Sequence, residues 1–208
     1  MTAKNKYSSL DVIRAYYMTE ALKKELTTLN LTKAALTKKL EKVKKQADKL
    51  TPKQLFNDPL DNYHARYDNY VNSSWELKTI SLADCGVWPA MGGLPKEMTY
   101  GSVTDTAQQL LPYLEDKTKL TVEVAKVLYI ERLKEYAELI TEYIPLVVME
   151  GGVIRHMKLY KDESQKKFKK TKYDIDDGNH RAIAYALLGK KEIVALVGTR
   201  NYKNDLMY

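Results

Sequence analysis

Cysteine is almost absent from this chain: Cys85 is the single one in 208 residues. One thiol cannot close an intramolecular disulfide, and zinc sites of the CxxC type are excluded. Histidine is scarce too, with three, so a large metal cluster is not expected. No run of about 18 apolar residues occurs, so no segment is expected to span a membrane. The stretch Met1 to Ser9 lacks the apolar core of a secretory signal, and the expected compartment is cytoplasmic. Phenylalanine is nearly missing, two against 16 tyrosines, which leaves tyrosine as the default large aromatic. What is plentiful is ordinary globular material. Hydrophobic residues make up 44% and charged residues 29%, enough for a packed core. A net charge of +7 permits nucleic acid, nucleotide phosphates or an anionic surface as partner and requires none of them.

The length suggests one globular domain with an appendage. Residues 1–51 read as helix. Leu22, Leu29, Leu36, Val43 and Leu50 recur every seven residues, with Leu26, Leu40 and Ala47 four after members of that series and Lys33 interrupting it. Two forms are open. One is a coiled coil that makes a homodimer through residues 10–50. The other is an amphipathic helix, or a helical hairpin bent near Asn30, packed on its own domain. The lysines here (Lys38, Lys39, Lys42, Lys44, Lys45, Lys49) read as a solvated face. Residues 52–74 read as a connector, punctuated by Pro52 and Pro59, with Tyr63, Tyr67 and Tyr70 at helical spacing.

Residues 75–200 carry the domain proper, and 201–208 a tail. Trp75 to Leu82 alternates apolar and polar residues, as a strand does. Cys85 to Gly93 is a glycine-rich loop able to line a site. Helices are predicted over Val103 to Leu114 and Val122 to Tyr143, the latter ended by Pro145. Strands follow at Leu146 to Met149, Val153 to Tyr160, Tyr173 to Asp176 and Glu192 to Val197, with a helix over Asn179 to Leu188. The fold class is α+β.

The stretch Tyr173 to Arg181, Tyr-Asp-Ile-Asp-Asp-Gly-Asn-His-Arg, is the most informative in the chain. Gly178 stands between a strand and a good helix-forming run, where a positive φ or a close backbone approach is needed. The helix beginning at Asn179 leaves backbone N–H groups unpaired at its positive end, which suits a phosphate. Arg181 in the first turn can add a bidentate contact, and His180 can donate a hydrogen bond or shuttle a proton. Asp177 can cap the helix, or help hold a divalent metal beside a bound polyphosphate. The plainer alternative is a capped turn with surface residues after it.

These residues resemble the signature of the ParB/sulfiredoxin-like superfamily: Asp177-Gly178-Asn179-His180-Arg181, with Gly178, Arg181 and Ala184 on its Gly-x-x-Arg-x-x-Ala pattern. The order of elements from Trp75 to Thr199 resembles the family's, with more helix before Pro145 than compact members have. The resemblance implies a small mixed sheet with packed helices and a nucleoside triphosphate or diphosphate, CTP or ATP type, with Mg2+ as a companion. Gly178, Asn179, His180 and Arg181 would contact the phosphates, with Asp177 and His180 in catalytic roles and no dedicated protein metal site. Sulfiredoxins carry a nucleophilic cysteine where this chain has Asn179, so their thiol chemistry is not expected. Partition proteins continue into a helix-turn-helix domain, which is not found before Tyr208. Free serine kinases carry Asp-Gly-His-His-Arg, differing at Asn179; their catalytic glutamate has no clear counterpart, Glu97 being the nearest.

Next to the motif lies a basic stretch, Lys158 to Lys172, whose Lys166, Lys167, Lys169, Lys170 and Lys172 are interleaved with Phe168 and Tyr173. It reads as a phosphate-tracking patch for DNA or RNA, or as a solvated hairpin tip. Arg155 and His156 precede it on opposite strand faces, so one of them at most faces the site. The expectation is a nucleotide-binding, DNA-associated ParB-like protein, a nuclease or a nucleotide-dependent DNA-binding switch. The alternatives are a small-molecule kinase using the same turn, and a domain kept only as a structural or interaction module.

Overall fold

The alternating stretch around Trp75 runs as a strand, β2, over Ser73–Ser81, and pairs antiparallel with the last strand, β6, Glu192–Arg200, from Ser73↔Arg200 to Ser81↔Glu192. In this computed structural model the described residues are 6–56, 69–88, 94–119, 126–151 and 171–201. Four further strands complete a six-stranded mixed sheet: β1 (Lys6–Tyr7), β3 (Cys85–Gly86), β4 (Leu146–Glu150) and β5 (Tyr173–Asp177), in the order β1-β2-β6-β4-β5-β3. β4 runs parallel to β6 and antiparallel to β5, and β5 runs parallel to β3. The fold is α+β.

β4 and β5 lie inside the sheet and are covered on both faces, which is why Leu-Val-Val-Met reads as a continuous apolar run rather than an alternating one. Leu146, Val148, Ile175, Ala195 and Val197 face the larger core, while Trp75, Val147, Met149 and Leu196 join a smaller one with Val12, Ile13, Tyr16, Leu55 and Tyr70.

The N-terminal region forms helices α1 (Ser9–Ala21), α2 (Lys23–Thr28), α3 (Lys33–Ala47) and α4 (Pro52–Phe56). Ser8 and Asp11 close a reciprocal capping box at the start of α1. The leucine series is broken at Leu29, a non-glycine residue at φ +47°. Leu22, Leu26, Leu29, Leu36, Leu40, Val43 and Ala47 are all buried in the same core as the sheet. The geometry is therefore that of a hairpin bent next to Asn30 and packed on its own domain.

Helix α5 (Val103–Glu115) starts at a second capping box, Ser102 with Asp105. The long helix predicted to Tyr143 is two: α6 (Lys126–Leu133) and α7 (Ala137–Tyr143). Between them Lys134, Glu135 and Tyr136 make i→i−3 bonds to Glu131, Arg132 and Leu133, a tightened turn. Val127, Ile130, Leu133, Ala137 and Ile140 remain buried across it. Helix α8 is Asn179–Leu187. No described helix is long and apolar enough to cross a membrane. The predicted strand Val153 to Tyr160, Arg155, His156, the lysines from Lys158 to Lys170, Tyr63, Tyr67, residues 89–93 and the tail from 202 lie outside the described residues.

Candidate functional site at the glycine turn

β5 delivers its last residue, Asp177, to Gly178, and α8 departs at once from Asn179. Gly178 takes φ +94° and is the N-cap of α8, with no side-chain cap bond. A Cβ there would stand 3.0 Å from both Arg181 Nη2 and Leu146 Cγ. The position therefore needs glycine twice over, for the left-handed backbone and for the close approach of the arginine.

Asp177 does not cap the helix, contrary to the simplest reading of its place in the sequence. Its Oδ2 accepts instead from Arg181 Nη2 at 3.3 Å and from Thr19 Oγ1 of α1 at 3.0 Å. Its Oδ2 is thus turned to the Arg181 side chain and to α1 rather than to the first N–H groups of α8.

Arg181 is buried, 6% exposed. Its Nη1 donates to the Ile144 main-chain carbonyl just before β4, with Thr141 Oγ1 at 3.4 Å. Burial lowers the guanidinium's pKa from its ordinary value, and Asp177 opposes that shift. The arginine, expected to face phosphate, thus braces the turn from inside, joining β5, α7 and β4. Asn179 is engaged likewise. Its Nδ2 donates to the Ile175 carbonyl at 3.3 Å, and its Oδ1 accepts from the Trp88 main-chain N–H at 2.9 Å. That second bond holds the start of the glycine-rich loop beside the head of α8.

His180 meets the edge of the Tyr129 ring, centroids 5.3 Å apart and planes at 83°. Tyr129 Oη donates to the Leu26 carbonyl, and Lys126 Nζ lies 4.5 Å from the centre of its ring. Burial pushes the Tyr129 phenol up to about 12, Arg181 working against that and Asp177 with it. Tyr129 also lines a cleft of about 750 Å³ with Thr28, Arg132 and Tyr136. Thr19, Ile144, Trp88 and Tyr129 were not legible as site residues. Thr19 stands 158 residues from Asp177 in sequence, and the Ile144 and Trp88 contributions are main-chain atoms that no residue pattern encodes.

The other expected residues are placed apart. Lys172, the described member of the basic stretch, lies with Nζ 4.9 Å from the Tyr173 ring centre at the opposite end of β5, about 20 Å from Gly178 by strand rise. Lys166, Lys167, Lys169 and Lys170 fall outside the described residues. Glu97 is exposed and lines a different cleft, with Met98, Gln109 and Tyr113. Cys85 is buried, its Sγ 3.2 Å from the Ser81 carbonyl. Burial, seconded by Asp84 and Asp174, pushes its thiol up to about 12. Among the described residues no group of three or more His, Cys, Asp or Glu is arranged to hold a metal. A scan of protein-family models, a search of curated proteins and a search of solved structures each give no match to this chain.

What the turn offers a ligand is main chain. The first N–H groups of α8 lack a side-chain cap and sit at the positive end of a nine-residue helix. His180, partly exposed, stands among them.

Proposed function

We propose that this chain is a nucleotide-phosphate-binding protein of the ParB/sulfiredoxin-like kind that works on or beside DNA, as a nuclease or a nucleotide-dependent DNA-binding switch. The observation that carries the proposal is the head of α8. It opens on a glycine at φ +94° and lacks a side-chain cap, with a histidine in its first turn. Helix starts of this kind receive phosphates through main-chain N–H groups, without a dedicated cationic side chain. Arg181 then acts as a positioning residue, because its bonds to Ile144 and Asp177 hold the turn in the shape that presents those groups. Asp177, already accepting from Thr19 and Arg181, does not fit a protein-held Mg2+ site. A magnesium ion would enter with the nucleotide, on its phosphate oxygens.

The test is a titration of CTP, ATP, ADP and GTP into the native chain and into His180→Asp. An acid in the first turn suits the helix dipole but repels phosphate, so His180→Asp, with its fold checked by circular dichroism because the ring contact with Tyr129 is lost, should lose nucleotide binding. Equal affinity in the two proteins contradicts the assignment.

One observation favours a second reading, a domain retained as a structural module. Asn179 and Arg181, the polar side chains that would diversify the chemistry, are both engaged in internal bonds. That reading expects no nucleotide to bind. The phosphotransferase alternative has less support, since Glu97 lines a cleft that contains no residue of the glycine turn.

A further inference from the structure

Helix α3 has two stripes. Leu36, Leu40, Val43 and Ala47 are buried and pack it onto the domain. Each is followed two positions later by a lysine: Lys38, Lys42, Lys45 and Lys49. Two residues on an α-helix are about 200° of rotation, so Lys38, Lys42 and Lys45 occupy the side opposite the core stripe, and Lys49 follows in the turn just past the end of the helix. All four are exposed, and they line one shallow surface groove with Glu41 and Gln46.

Two acids lie near this stripe. Asp48 pairs with Lys44 at 3.5 Å, and Glu41 is near enough to Tyr143 of α7 to add, after burial, to the rise of its phenol pKa. Lys39, beside the stripe, is held by Glu25 of α2. No carboxylate among the described residues lies within ion-pair distance of Lys38, Lys42, Lys45 or Lys49. Like charges three and four apart repel along a helix, and alternating acids would have relieved that at no cost to the core.

We infer that this stripe is a docking surface for the phosphodiester backbone of nucleic acid. Lys38, Lys42 and Lys45 are four and three residues apart, about 6 and 4.5 Å of helix rise, with Lys49 in the turn beyond. That is a closely spaced row of cations suited to a regularly charged strand. A membrane surface fits less well: helices that lie in a bilayer interface bury an apolar face there, and the apolar face of α3 is already in the core. The inference deepens the DNA association proposed above and places a contact outside the Lys158 to Lys172 stretch. It is independent of the nucleotide.

The test is fluorescence anisotropy with a mixed-sequence DNA duplex of about 20 base pairs, across a range of salt concentrations. Four proteins are compared. They are the full native chain; Lys38→Gln/Lys42→Gln/Lys45→Gln/Lys49→Gln; the same four changed to Arg; and Lys23→Gln/Lys24→Gln/Lys117→Gln/Lys191→Gln, matched in charge off the stripe. If each stripe lysine neutralises one phosphate, the glutamine variant's plot of log affinity against log salt should be shallower by about 3 to 4. The arginine variant should retain the native slope and the off-stripe variant most of it. Glutamine is a good helix former, and unchanged circular dichroism verifies that the fold is kept. Equal loss in the stripe and off-stripe variants overturns the proposal as a net-charge effect. Tighter binding to poly-glutamate or to vesicles of anionic lipid than to DNA overturns it in favour of those partners. Lys167→Glu/Lys170→Glu is run alongside. Loss there but not in the stripe variant removes α3 and leaves the DNA association standing; no DNA binding by the native chain removes both.

Discussion

The Arg181 guanidinium lies 3.3 Å from the Asp177 carboxylate, four residues before it, with both side chains largely out of solvent. Breaking a buried pair from one side leaves the other charge uncompensated, at a cost of about 3–5 kcal/mol. Arg181→Ala should therefore lower stability by that order before any question of ligand arises. Chemical denaturation is the check. A loss below about 1 kcal/mol, with nucleotide affinity reduced instead, would return the arginine to the phosphates.

Gly178 and Gly189 allow a controlled comparison. Both have positive φ, +94° and +76°, but a Cβ at Gly189 meets nothing within 4 Å, whereas at Gly178 it meets Arg181 and Leu146 at 3.0 Å. Gly189→Ala should cost only the left-handed strain, about 1–2 kcal/mol. Gly178→Ala should cost clearly more, since Arg181 or Leu146 must also shift. Equal losses in denaturant midpoints would mean that the turn is not braced as described.

How much of this was legible in the sequence differs from element to element. Strand β5, Gly178 and α8 were readable because the period changes there from two to helical and a glycine marks the boundary. The division of α6 from α7 was not, since the apolar stripe stays in register through Lys134 to Tyr136 and no glycine or proline announces the tightened turn. Leu29 was read as a seam position because leucine gives no signal of a left-handed bend; its burial in the core is what offsets the strain. The contents of the site were the least legible. Residue types gave Arg181 and Asn179 as ligand-facing groups and gave no sign of the bonds they make within the chain, Arg181 to the Ile144 carbonyl and the Asp177 carboxylate, Asn179 to the main-chain atoms of Ile175 and Trp88.

The leucine series makes a prediction about truncation. Leu40 is fully buried, and its α3 packs on α1 and α7. Leu40→Ala should cost about 2–5 kcal/mol. Removing residues 1–50 should yield an unfolded or aggregating chain, because Thr19, Leu36 and Leu40 leave with it. A well-folded fragment, seen by circular dichroism and light scattering, would show that the helices are an appendage after all.

Alkaline pH should weaken the fold. The Cys85 thiol is held at about 12 against an ordinary 9.0. Above pH 9 the unfolded chain therefore releases this proton while the native one keeps it. The unfolded state then binds fewer protons, so stability falls as pH rises from about 9 towards 12. Tyr129, held at about 12 against 10.0, adds to the fall over the upper part of that window. Denaturation midpoints of native and Cys85→Ala chains at pH 8 and pH 10.5 give the check: Cys85→Ala should show the smaller decline. Native Cys85 should also resist thiol reagents at pH 8 until the protein unfolds.

The most direct test of the phosphate cradle is thermal unfolding with CTP, ATP, ADP and GTP, each with and without magnesium. A ligand present at 100 times its Kd adds about 2.7 kcal/mol of stability. The head of α8 as described should give at least one nucleotide a clear rise in Tm, retained in part by inorganic pyrophosphate and lost in His180→Asp. No shift with any of the four at millimolar concentration would contradict phosphate binding at the glycine turn and leave it a structural joint.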